Sequence, residues 1–79
     1  MNIRVLFFGA TADETGKSSI EFHPEGGVSV RSAFDEILKV FPQLRKHKLL
    51  VALNQEYVSD ERVLIDVDEL AIFTAVSGG

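Results

Sequence analysis

An apolar stripe between residues 30 and 41 constrains this chain more than any other feature. Val30, Ala33, Phe34, Ile37, Leu38 and Phe41 recur at steps of three and four residues, which sets them along one side of a helix. Ser29 stands where a hydroxyl can accept from the free N–H groups of the first helical turn. Pro42 disfavours helical geometry at the residue before it, so the spacing predicts a helix that ends near Val40. In a chain of 79 residues, one domain is the only sensible count, and a single helix can cover only one face of a sheet.

The rest of the chain supplies strands and breaks. "NIRVLFF" (2–8) is apolar, β-branched and aromatic, and its lack of strict alternation suggests a strand covered on both faces. "GATADETG" (9–16) carries turn and loop residues, and "KSSIEF" (17–22) reads as the returning strand of a hairpin. "KLLVAL" (48–53) predicts a further strand, "NQEYV" (54–58) a turn and a short strand, and "SDERVLIDVDE" (59–69) a connection with Leu64 as its inward anchor. "LAIF" (70–73) is the last strand and "TAVSGG" (74–79) a flexible tail. The expected architecture is α+β: a domain over 1–73 with a mixed, mostly antiparallel sheet of about four to five strands and one main helix on one face. The two most apolar strands, the first and the last, are expected side by side in its middle.

Composition removes several function classes. A domain this small buries only about 60–65% of the surface its unfolded chain exposes, which leaves no room for a deep catalytic pocket. With no cysteine there is no thiol nucleophile and no thiolate metal site, a composition that fits a reducing cytosol. His23 and His47 stand apart with no second ligand at metal spacing, so no metal site is expected and no Ser-His-Asp arrangement can be assembled. "HPEGGVS" lacks the lysine and the glycine spacing of a phosphate-binding loop. The net charge of −4 argues against nucleic acid as a partner. "MNIRVLFFGA" does not read as a signal peptide, and no apolar run is long enough for a membrane span. Six of the twelve carboxylates fall between Glu56 and Glu69, and a basic run, "RKHK" (45–48), precedes them. Each run reads either as a solvated loop or as a docking surface.

Alternation also proposes a docking face. If Ile3, Val5 and Phe7 face the helix, Leu6 and Phe8 face the other way; Leu70 and Ile72 would then lie inside, with Ala71 and Phe73 outside. With Tyr57 as a neighbour, these residues would form an apolar patch in need of a partner. Alternatively, some of the aromatics pack against the 59–69 connection. Asp68 and Glu69 read either as a solvated turn or as a salt bridge to a basic partner.

"VLFFGATADETG", "LVALNQEYV", "DVDELAIF" and the terminal "AVSGG" together resemble the MoaD family, the small sulfur-carrying subunits of molybdopterin synthase, across essentially the whole chain. The resemblance implies a ubiquitin-like β-grasp fold and no catalytic side chains of the chain's own. It implies that Gly79, with Gly78 before it, carries the chemistry: a partner of the ubiquitin-activating type uses ATP to adenylate Gly79, and sulfur converts it to a thiocarboxylate. Glycine suits such an end because no Cβ obstructs its entry into another protein's site. Phe8, Tyr57, Phe73, Leu6, Asp68, Glu69, Val76 and Ser77 would meet the partner, the large synthase subunit, in a cytoplasmic heterotetramer. No cofactor is expected on this chain itself, and no metal. The chain departs from the family pattern where Thr74-Ala75 replaces a usual Pro-Pro pair, where Val67 replaces a usual glycine, and where Ala12-Asp13 replaces an Arg-Glu pair. Losing two prolines implies a less stiff tail. The same fold also serves sulfur carriers for thiamine or tRNA thiolation, protein modifiers and plain binding modules.

Overall fold

Strict alternation governs the first strand after all. In β1 (Ile3–Phe7) the side chains of Ile3, Val5 and Phe7 are buried, Arg4 is exposed and Leu6 is half-buried, so one face only is covered by the protein's own core. The structure, a computed structural model, describes residues 1–75.

After β1 the chain turns at Gly9, whose φ of 55° and ψ of −120° belong to the first central position of a type II′ turn. A side chain there would be strained, which is why glycine occupies it. The turn opens into a short helix, α1 (Ala10–Thr15), where the sequence reading expects only loop. Six residues cannot hold a helix by themselves. Tertiary contacts hold this one: the buried Thr11 hydroxyl lies 2.7 Å from the Ile72 carbonyl oxygen and 2.9 Å from that of Phe8, and it accepts the Phe8 N–H at 2.9 Å.

β2 (Ser19–Phe22) returns antiparallel to β1. The long helix α2 (Val30–Val40) follows, with Ser29 Oγ accepting the Ser32 N–H at 3.1 Å as the sequence predicts. Its first two N–H groups, on Val30 and Arg31, donate to the carbonyls of Arg62 and Asp60. The 59–65 connection therefore lies against the start of α2, where Leu64 is buried in the core. Beyond α2 a 3-10 turn, Pro42–Lys46, buries Leu44. β3 (Leu49–Leu53) and β4 (Glu69–Thr74) complete a four-stranded sheet of order β2-β1-β4-β3. β4 runs parallel to β1 and antiparallel to β3, so the first and last strands are the central pair. This is the β-grasp arrangement that the resemblance implies.

The short strand expected within 54–58 is only an isolated bridge between Leu53 and Glu56. Asn54 and Gln55 both have positive φ, 50° and 69°, and Leu53 and Glu56 exchange both backbone hydrogen bonds across them. That is a two-residue turn in which Asn tolerates the left-handed conformation. β4 extends to Thr74, one residue past the expected end, and the Ala75 N–H donates to the Lys48 carbonyl at 3.1 Å. A proline at 75 could not make that bond, so what the Thr74-Ala75 pair loses in intrinsic stiffness it regains by pairing with the β3 side. Val67 has φ 63°, a conformation that favours glycine over a β-branched side chain.

Under α2 the core joins Val5, Phe7, Leu70 and Ile72 from the central strands to Ile37 and Leu44. Phe7 meets Phe41 edge to face, 5.6 Å between ring centres.

Candidate functional site

The opposite face of the sheet is open, and its rows can be read from the register. Leu6, Ala71 and Ala52 form one row across β1, β4 and β3, and Phe73 pairs with Leu50 in the next. The alanines make a low floor, flanked by Leu6, Phe8, Phe73 and Tyr57, so the face is concave: a groove of about 620 Å³. Phe8 is 53% exposed and Tyr57 73% exposed. A contiguous apolar patch is costly to leave wet and is a common mark of an interaction surface. Tyr57 and Phe73 lie 6.3 Å apart, ring centre to ring centre.

The structure thus brings Leu6, Phe8, Tyr57, Ala71 and Phe73 together, as alternation proposes. The alternative, aromatics packed under the 59–69 connection, does not hold: that connection caps α2 on the covered side. Gly9, Ala52 and Gln55 also line the groove and are absent from the sequence reading. Ala52 was within reach, since its pairing with Ala71 places both on one face; Gly9 and Gln55 enter only through turn geometry.

The other end of the open face is charged. Arg4 stands between Glu21 on β2 and Glu69 on β4 as their cross-strand neighbour. Glu69 is half-buried and reaches the edge of the groove, which keeps it available to a partner. Asp68 is not. It is only 6% exposed, and its carboxylate accepts the Ile65 N–H at 2.8 Å and the Asn54 side-chain amide at 2.9 Å. Asn54 in turn accepts the Glu69 N–H at 2.9 Å. The "ALNQEYV" stretch and the acidic pair are therefore two halves of one internal clamp that sets where β4 begins, and Asp68 serves that clamp rather than an ion pair with another protein.

The basic run is likewise partly occupied. Glu14 on α1 pairs with Lys46 Nζ at 2.7 Å and with His47 Nε2 at 2.8 Å. The hydrogen bond from Lys46, then that from His47, holds the Glu14 carboxyl below the usual carboxylate range. Among the described residues no cluster of His, Asp or Glu side chains could hold a metal ion. No helix among them is long and apolar enough to cross a membrane. Val76, Ser77, Gly78 and Gly79, the remaining expected site residues, lie outside the described residues.

Comparison with known proteins gives concordant results. The model of the ThiS family matches residues 5–79. Over its full length the chain is 32% identical to the molybdopterin synthase sulfur carrier subunit of Arabidopsis thaliana, covering 84% of that protein. It is 33% identical to the subunit of the same name from Mycobacterium tuberculosis, covering 99% of it. Among solved structures, a putative molybdopterin converting factor subunit 1 from Pyrococcus furiosus superposes with a TM-score of 0.89 at 23% identity, over 96% of this chain and 99% of that one. SAMP1 from Haloferax volcanii gives 0.87 at 25% identity, with both chains fully covered. A complex of subunits 1 and 2 of the Helicobacter pylori molybdopterin-converting factor gives 0.73 at 21%, again with both chains fully covered. The likenesses below 25% identity establish the β-grasp fold.

Proposed function

The chain belongs to the ThiS family, and from that premise we propose that it is a sulfur carrier, the small subunit of a molybdopterin synthase, acting through its last residue. The Gly79 carboxylate attacks the α-phosphorus of ATP in the site of an adenylating partner, releasing pyrophosphate and leaving an acyl-adenylate. Sulfide then displaces AMP at the acyl carbon and gives a thiocarboxylate. On the large synthase subunit that sulfur attacks a carbon of the pyranopterin precursor and displaces an oxygen substituent, which leaves with the bonding electron pair and takes up a proton. Water then cleaves the bond between sulfur and the acyl carbon, restoring the carboxylate. Two such deliveries build a dithiolene. ATP and the catalytic side chains belong to the partners, and the carrier works beside them in the cytoplasm.

The observation that carries this reading is the groove on β4. β4, which bears Ala71 and Phe73 on its open side, is the last strand before Val76–Gly79 in the sequence. A partner seated on the groove is therefore next to the base of the tail. Effective concentration then favours entry of Gly79 into that partner's site.

Intact mass spectrometry of the full chain, with an adenylating enzyme, ATP and sulfide, tests the proposal. The expected result is exchange of one oxygen for sulfur, localised to Gly79, and its loss on deletion of Gly78-Gly79 in a chain that stays folded. An unmodified carboxylate under every condition overturns it. The likeness to SAMP1 favours a second reading, a modifier joined through Gly79 to lysines. Conjugates that survive boiling and reducing agent would select that reading instead.

A further inference from the structure

The C-terminal end of β4 is held from both flanks, by α1 on one side and by the segment leading into β3 on the other. On one side the Thr11 hydroxyl of α1 bonds to the Ile72 carbonyl at 2.7 Å. On the other, the Lys48 carbonyl accepts the Ala75 N–H at 3.1 Å, and Leu49 pairs with Thr74. Glu14, three residues after Thr11 on the same short helix, joins the two sides. Its carboxylate binds Lys46 at 2.7 Å and His47 at 2.8 Å, and its carbonyl accepts the Gln43 side-chain amide at 3.0 Å. These bonds fasten α1 to the segment that leads into Lys48. The path closes as Ile72, Thr11, Glu14, Lys46 and His47, Lys48, Ala75.

We infer that Glu14 is a positioning residue for the carrier tail: it closes a loop of bonds, a collar that runs through the end of β4 from Ile72 to Ala75 and fixes where the chain leaves the sheet. The inference rests on the sulfur-carrier reading for its purpose, but its geometry stands on residues 11–75 alone. A tail that must thread a buried site gains from a fixed point of departure, because misplacement at its base is carried to its tip. α1 is too short to be stable alone; Ala12 packs it against the core, and Thr11 and Glu14 tie it to β4 and the 3-10 segment.

The test is amide hydrogen exchange by NMR on the full, uncharged chain, comparing Ala75 with Leu70 and Ile72 in the same strand. In Glu14→Gln, exchange at Ala75 is expected to rise about threefold while Leu70 and Ile72 hold, since a partly exposed ion pair contributes modestly and locally. Glu36→Gln, which breaks the exposed pair with Lys39 on α2, should move none of the three. A charge swap, Glu14→Lys with Lys46→Glu, should restore most of the protection. Thiocarboxylation of Glu14→Gln by the adenylating enzyme should show a lower kcat with KM unchanged, because the groove is intact. Unchanged exchange at Ala75, or a rise shared equally by Leu70 and Ile72, overturns the collar. A wild-type chain that is never charged refutes the functional reading instead, and the exchange ratio still decides the collar.

Discussion

The two faces of the sheet are built from the same four strands and have opposite fates. Residues that alternate along β1 and β4 send Val5, Phe7, Leu70 and Ile72 to a face sealed by α2 and the 3-10 turn. Their neighbours Leu6, Phe8, Ala71 and Phe73 go to a face that, among the described residues, no helix covers. The apolar content of the two sets is similar, and what separates them is cover. Hydrophobicity alone thus does not define a core; cover does.

Mutating matched positions on the two faces should break this comparison if it is wrong. Phe7→Ala, which empties a site under α2, should cost about 3–5 kcal/mol in denaturant unfolding, enough to unfold so small a domain. Phe73→Ala on the open face should cost under about 1 kcal/mol of folding stability. It should instead weaken binding to a large synthase subunit by about 2 kcal/mol, roughly 30-fold in Kd by calorimetry. If Phe73→Ala unfolds the chain, the open face is core after all.

The clamp at the charged end gives the next effect in size. Asp68→Ala strands the Ile65 N–H and the Asn54 amide, and should cost about 1–3 kcal/mol of stability with no separate loss of partner affinity once folded. Glu69→Gln should show the reverse pattern, since its side chain faces outward. Smaller, and opposite in sign, is Val67→Gly. Relieving a β-branched residue at φ 63° should stabilise the chain by about 0.5–1 kcal/mol, read as a higher Tm.

The smallest effect is electrostatic. Lys46 and His47 hold Glu14 below the usual carboxylate range, so its contribution is complete above that range and is lost as pH falls through its lowered value. The Tm advantage of wild type over Glu14→Gln should therefore be about 2 °C or less near neutrality and vanish in acid, because Lys46 remains well exposed to solvent. An advantage that grows on acidification would contradict the assignment.

Some of this could be read without coordinates. α2, its Ser29 cap and its stop before Pro42 follow from period and steric rules that act within a few residues. The inward and outward sets of β1 and β4 follow from a repeat of two, which is why the groove was legible in Leu6, Phe8, Ala71 and Phe73. The stretches "VLFFGATADETG", "LVALNQEYV" and "DVDELAIF" already resemble the family to which the chain belongs. α1 was not legible, because "ATADET" has no apolar period and its helix depends on a hydroxyl bonded to a strand sixty-one residues away. Nor was the role of Asp68, whose carboxylate is spent on a turn formed by Asn54, fourteen residues earlier. Local propensity and alternation are properties of neighbours in sequence, and they determined the elements and the faces. Which face stays bare, which carboxylate is internal and how the base of the tail is held depend on groups that meet only when the sheet closes, so the tertiary structure alone decided them.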